Sequence, residues 1–182
     1  MISRWDRAVV EAFQDAHWHP VDVVFIHLSD WWVKSLVMLA IALAADLYWR
    51  RFPWGVALGA IAYLTAEGLS LEMKTWFDRL RPAAADASIH PLVASPRTGS
   101  MPSTHAATAF AAAVAISLVH PKLRWPLLLL ATLISLSRVW LGVHFLSDVI
   151  VGAALGAAIG WAVWWLSRVA GRASRGQLRI SA

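Results

Sequence analysis

Five apolar stretches, each 17 to 24 residues long, divide most of the chain between them. They run over 32–49, 54–73, 103–119, 125–143 and 144–167. About 20 apolar residues carry a helix across the hydrocarbon core of a bilayer, and a spanning segment has no water with which to satisfy its peptide groups. The pattern therefore predicts an all-α, polytopic membrane helical bundle with about five transmembrane helices. Composition agrees: 59% of the 182 residues are apolar, only 15% are charged, and 12 are tryptophan. With no cysteine the chain has neither disulfides nor thiolate metal sites, so cysteine usage says nothing about redox compartment. A formal charge of +5 is read as positive loops facing anionic lipid head groups, not as a nucleic-acid surface.

The whole chain, 1–182, is read as one membrane-embedded domain. Residues 1–31 mix charged and apolar positions at roughly helical spacing, with Pro20 as a break. They predict two short amphipathic helices near 5–16 and 20–29 lying in the membrane interface. No basic region followed by an apolar core and a small-residue cleavage site occurs there, so no secretory signal is expected. Residues 74–102, with four prolines, Gly99 and several charges, predict an extramembrane loop. Residues 168–182, with Arg168, Arg172, Arg175 and Arg179, predict a basic tail on anionic lipid. In the fifth stretch Gly152, Gly156 and Gly160 recur every four residues, a spacing that lets membrane helices approach closely.

Five spans put the termini on opposite sides. Each side then carries eight of the sixteen basic residues, and discounting Lys74, Arg81 and Arg138 for the chemistry below leaves eight against five, favouring a cytoplasmic C-terminus. Trp31, Trp32, Trp76 and Trp140 near one face, and Trp49, Trp54, Trp125 and Trp164 near the other, are expected in aromatic belts. The scattered His17, His19, His27, His90 and His120 are expected at interfaces or in loops, and Glu67 and Glu72 in ion pairs.

Three polar clusters fall on one side of this layout. The first holds Lys74 and Arg81, seven positions apart and followed by Pro82. The second is Pro102-Ser103-Thr104-His105, where Ser103 is placed to cap the third span and leave helix-end amides pointing outward. The third is Ser137-Arg138 with His144 and Asp148. Arg138 and His144 are six apart, about 240° around a continuous helix, so the chain is expected to break near Gly142. Three cations, helix-end amides and a hydroxyl suit a multiply charged anion, above all phosphate. In this reading His144 attacks phosphorus, Asp148 fixes its tautomer, and His105 protonates the leaving oxygen and then helps activate water. Lys74, Arg81, Ser103 and Arg138 bind the phosphate. No carboxylate cluster suited to Mg²⁺ accompanies them, so a reaction without metal or other cofactor is expected.

Lys-x6-Arg-Pro, Pro-Ser-x-His and Ser-Arg-x5-His-x3-Asp, in this order over positions 74–148, resemble the three-part signature of the type 2 phosphatidic acid phosphatase superfamily. The resemblance implies a helical bundle, a phosphohistidine intermediate on His144, and dephosphorylation of membrane lipids. It also implies, for a bacterial member, a place in the cytoplasmic membrane with the site facing the periplasm or outside. It implies the same phosphate-binding role for Thr104, which stands where the family usually has glycine, a departure bearing on substrate preference. Undecaprenyl diphosphate is the first substrate expected by analogy. Phosphatidylglycerol phosphate, phosphatidic acid and lipid A 1-phosphate stay open, as do phosphotransfer to a lipid hydroxyl and a non-enzymatic lipid-phosphate binding or transport role. The bilayer and a membrane lipid are the expected partners, with no nucleic acid.

Overall fold

The computed structural model describes the backbone of residues 3–180 and the side chains through Arg172. Among the described residues the only regular secondary structure is helical. In chain order the helices are α1 (Arg4–Asp15), α2 (His19–Ser29), α3 (Trp31–Tyr48), α4 (Trp54–Phe77), α5 (Pro82–Ala85), α6 (Thr104–Val119), α7 (Arg124–Trp140) and α8 (Leu146–Ile180), with one 3₁₀ turn at Pro121–Leu123 before α7. Four segments containing α3, α4, α7 and α8 are long and apolar enough to cross a membrane, and α6 is a shorter apolar helix.

Helix α6 is the centre of the bundle, with α4, α7 and α8 packed around it. Its sequence explains this position. Ala106, Ala107, Ala111, Ala113 and Ala115 are wholly buried, and so small a surface lets neighbouring backbones come close. The glycines of α8 supply the other half of the contact. A Cβ at Gly156 would lie 2.1 Å from the Ala107 carbonyl oxygen, one at Gly160 2.4 Å from that of Ala111, and one at Gly152 2.5 Å from that of Ser103. The four-residue glycine spacing thus marks the α6–α8 interface. Large apolar side chains point away from the bundle instead, among them Leu36 and Leu43 of α3, Ile61 and Leu64 of α4, Leu129 of α7 and Ile150 of α8.

Several expectations need correction. Helix α4 runs four residues past its predicted end, so Lys74 sits on a helix and not in the loop, and the loop holds the short helix α5. Helix α8 starts at Leu146, leaving His144 in the turn before it, and its backbone stays helical through Ile180, within the predicted tail. The side chains of Arg175 and Arg179 lie outside the described residues. Trp140 is no belt residue: Phe13, His17 and Phe25 pack around its ring at 5.5–5.7 Å, and its indole N–H donates to Asp22 at 2.7 Å. It ties α1 and α2 to α7. His120 is buried, 2.8 Å from Asp46 Oδ1, which also accepts from the Gly55 amide. This pair occupies the end of the bundle opposite Lys74. Neither Glu67 nor Glu72 forms an ion pair among the described residues.

Candidate active site

The three polar clusters meet at one end of the bundle. Helix α7 ends at Trp140, and Gly142 turns the chain back with φ +70°, a conformation costly for any residue with a Cβ. Both Val143 N–H and His144 N–H donate to the Arg138 carbonyl at 3.2 Å. The break expected near Gly142 is thus present, and it places His144 beside the last turn of α7. Phe145 N–H then donates to Asp148 Oδ2 at 2.9 Å. Asp148 caps the first turn of α8 from within, as the fourth member of a capping box does.

His144 is buried, its Nδ1 3.5 Å from Asp148 Oδ2 and its Nε2 3.2 Å from Arg81 Nη1. Because a guanidinium can only donate, Nε2 must carry the lone pair and Nδ1 the proton. The tautomer is set by Arg81, with Asp148 on the other side of the ring. The Nδ1 contact lacks hydrogen-bond geometry, so Asp148 stands 3.5 Å from the ring without the direct bond expected from the sequence. Burial first, and then the charges of Arg81, Arg138 and Lys74, hold the His144 imidazole well below its usual value of 6.5. The ring is therefore neutral, and Nε2 available, at neutral pH.

The cations are held by backbone carbonyls. Lys74 Nζ donates to Pro102 at 2.8 Å, Gly99 at 3.0 Å and Ser100 at 3.4 Å, pinning the segment that leads into α6. Arg81 spreads its fork over Thr98 and Val143 carbonyls, each at 2.9 Å, besides His144. Arg138 donates through Nη1 to the Ser29 hydroxyl at the end of α2, and His105 Nε2 lies 2.9 Å from the Ser29 carbonyl. Ser103 occupies the N-cap position of α6, but its side chain makes no capping bond. Its amide N–H instead donates to the Asp148 carbonyl at 3.0 Å, joining the starts of α6 and α8. Four buried side-chain atoms find no hydrogen-bond partner among the described residues: Ser103 Oγ, Thr104 Oγ1, Arg138 Nε and His144 Nδ1. All four can donate, and all belong to the predicted site. An unpaired buried donor costs about 1–3 kcal/mol; His144 Nδ1 faces Asp148, and Ser103 Oγ, Thr104 Oγ1 and Arg138 Nε are donors that a ligand's acceptor oxygens would satisfy.

Four further residues, Arg79, Asp6, Ser147 and Lys34, lie at this end of the bundle. Arg79 donates to Asp148 Oδ1 at 2.6 Å, to Asp6 Oδ2 at 2.7 Å and to Ser147 Oγ at 2.6 Å, with its guanidinium 4.7 Å from the Phe145 ring centre. Ser147 returns two bonds to Asp6. Burial pushes the Asp6 carboxyl up, and the bonds from Ser147 and Arg79 outweigh that and hold it below its usual value. Helix α1 is thereby latched onto the start of α8. Lys34, counted in the sequence only as a topology charge, is buried on α3 and donates to Thr108 Oγ1 at 2.9 Å. Only Lys34 carries a sequence signal, a charge on an otherwise apolar helix; Arg79, in the loop after α4, carries none.

Comparison with known proteins follows the geometry. The bacitracin transport permease protein BcrC of Bacillus licheniformis is 30% identical over 129 residues, 69% of this chain and 64% of that protein. The undecaprenyl-diphosphatase BcrC of Bacillus subtilis is 26% identical over 132 residues, 71% of this chain and 66% of that protein. The chain thus spans slightly less than two thirds of the length of these relatives. Among solved structures, the transmembrane PAP2-type phosphatidylglycerolphosphate phosphatase of Bacillus subtilis superposes with a TM-score of 0.69 at 25% identity, covering 90% of this chain and 84% of that one. With four helices of membrane-crossing length and relatives of this kind, the chain is an integral membrane protein. Residues 54–172, which hold every residue of the three clusters, match the PAP2 superfamily, and the chain belongs to it.

Proposed function

We propose that the protein is a membrane lipid phosphatase acting through a phosphohistidine on His144, with undecaprenyl diphosphate as substrate. The observation that carries this reading is a set of three unpartnered buried donors, Ser103 Oγ, Thr104 Oγ1 and Arg138 Nε, in the same clusters as a buried imidazole whose Nε2 holds a lone pair. In the first step the Nε2 lone pair forms a bond to phosphorus and the bond to the leaving lipid oxygen breaks. His105, entering as the imidazolium, gives that oxygen its Nε2 proton and becomes neutral, turning from the Ser29 carbonyl to do so. Asp148 offsets the positive charge that the phosphorylated imidazole acquires. Arg81, Lys74 and Arg138 stabilise the charge spread over the phosphoryl oxygens, Arg81 passing from His144 to the phosphate as the ring is consumed. In the second step His105 draws a proton from water, the water oxygen bonds to phosphorus, and the phosphorus–nitrogen bond breaks to release phosphate and restore the lone pair.

Undecaprenyl diphosphate is preferred because the Bacillus subtilis relative is named for it. Phosphatidylglycerol phosphate is the second reading, favoured by the structural neighbour. The site is proposed to face the periplasm of a bacterial cytoplasmic membrane. The test is release of inorganic phosphate by protein purified in detergent with EDTA, offered undecaprenyl diphosphate, phosphatidylglycerol phosphate, phosphatidic acid and lipid A 1-phosphate in parallel. Release is expected in EDTA and is expected to vanish in His144→Ala. An absolute need for Mg²⁺, or full activity in that variant, refutes the mechanism, and binding of these lipids without turnover of any of them refutes the enzyme itself.

A further inference from the structure

The far end of the bundle carries a cavity of about 370 Å³ between α4, α6 and α8. Lys74 and Trp54 are twenty residues apart on α4, and Asp148 and Arg168 twenty apart on α8, so the cavity lies about 30 Å from the candidate active site, roughly the hydrocarbon thickness of a bilayer. It opens where the other leaflet's head groups would lie. Three arginines line it, Arg51, Arg168 and Arg172. None has a carboxylate within 4 Å among the described residues. Asp46, the carboxylate at this end of α3, is fully buried and engaged with the Gly55 and Val56 amides and His120.

Two arginines are braced by the fold. Arg51 Nη1 donates to the Val119 carbonyl at 2.6 Å, which fixes its fork at the cavity edge, and the Arg168 guanidinium lies 5.8 Å from the Trp164 ring centre. Guanidinium forks without carboxylate partners suit the oxygens of a phosphate group. The remaining walls do not suit a free ion, because Leu58, Leu118 and Val119 give the cavity an apolar floor and Trp54 flanks it. A compact anion attached to an apolar tail matches both halves.

We infer that this cavity binds the phosphate head group of an anionic phospholipid of the leaflet opposite the candidate active site, with Arg51, Arg168 and Arg172 on the phosphate and an acyl chain along Leu58 and Leu118. The site is independent of the proposed reaction at His144 and involves no turnover.

The test uses the full chain in neutral detergent, with phosphatidylglycerol or phosphatidylcholine of the same acyl chains added, and counts retained lipids by native mass spectrometry alongside thermal stability. The wild type is expected to retain phosphatidylglycerol in preference to phosphatidylcholine and to gain stability from it. Removing two cations from an anionic surface, at about fivefold each, should weaken that retention by about 10- to 30-fold in Arg168→Gln/Arg172→Gln. Lys122→Gln/Arg124→Gln, which removes two charges outside this cavity, should stay within about twofold. Equal loss in both double variants would mean diffuse surface charge and overturn the inference, as would equal retention of the two lipids by the wild type. Millimolar inorganic phosphate that stabilises the wild type as well as phosphatidylglycerol does would make it a free-anion site and overturn the lipid assignment.

Discussion

Replacing Arg79 tests how the site is positioned, because Arg79 touches none of the groups proposed to contact phosphate. Its guanidinium joins Asp148, Asp6 and Ser147 through three bonds of 2.6–2.7 Å. Both carboxylates are buried, so Arg79→Ala leaves two buried charges without their shared partner. Breaking such a pair costs about 3–5 kcal/mol. Part of that loss falls on stability through the freed α1 and part on the reaction through Asp148, which is free to turn away from His144 Nδ1. A misplacement of about 1 Å in a reacting constellation costs about 10²-fold, or about 2.7 kcal/mol at 1.36 kcal/mol per decade. Arg79→Ala is therefore expected to lower kcat about 100-fold with KM within about threefold, and Arg79→Lys, which keeps the charge but not the fork, about tenfold. Asp6→Asn leaves the Arg79–Asp148 bond in place and should retain most of kcat while lowering the melting temperature. The assay is phosphate release from lipid substrate in detergent, with melting followed in parallel. An Arg79→Ala protein that melts like wild type and turns over within twofold of it would refute the positioning role. So would Asp6→Asn losing as much kcat as Arg79→Lys.

The remaining predictions concern packing, protonation and sidedness. Gly156→Ala puts a methyl 2.1 Å from the Ala107 carbonyl and should destabilise the bundle by about 1–3 kcal/mol, whereas Gly171→Ala meets nothing within 4 Å and should be neutral or stabilising by up to about 1 kcal/mol; thermal melts in one detergent compare them. Because His144 must be neutral to attack and its value is held below 6.5, activity should persist through pH 6.5 and fall only as pH drops through that lowered value; a kcat/KM profile whose acidic limb lies at or above 6.5 would contradict this. A cysteine introduced in the 83–101 loop should be labelled by an impermeant maleimide added outside intact cells, and labelling only after permeabilisation would invert the proposed orientation.

The local part of this architecture was legible in the sequence. Lys74 with Arg81, Ser103 with His105 and Arg138 with His144 stand at short fixed spacings, so each pair could be picked out directly, as could the turn at Gly142 that brings the last pair to one side. The glycine spacing of α8 was legible for the same reason, since a repeat of four needs no knowledge of its partner. Pairings across long sequence separations were not legible. Arg79 meets Asp148 69 residues away and Asp6 73 residues away, and the Asp46–His120 pair is separated by 74. Nothing in the sequence near Arg79 distinguishes it from a solvated loop cation. His120 and Trp140 were misassigned similarly: a lone histidine before a proline looks like a loop residue, and a tryptophan at a helix end looks like an interface anchor. Each was recruited into a buried contact by elements the sequence could not bring together.

The turn at Gly142 also works as a gauge of length. The Arg138 carbonyl takes both the Val143 and His144 amides, so one peptide group sets how far the imidazole stands from the end of α7. One residue inserted between 138 and 144 would carry the ring out of register with Arg81 and Asp148 at once, and no side-chain repacking could restore both. The stretch from Ala94 to Arg97 carries no such requirement, since it is exposed and none of its residues bonds to His144, Arg81 or Asp148. Variation in chain length should therefore accumulate there and be excluded from the six residues after Ser137, which makes the spacing of this turn a more stringent marker of an intact site than the identity of any one cation around it.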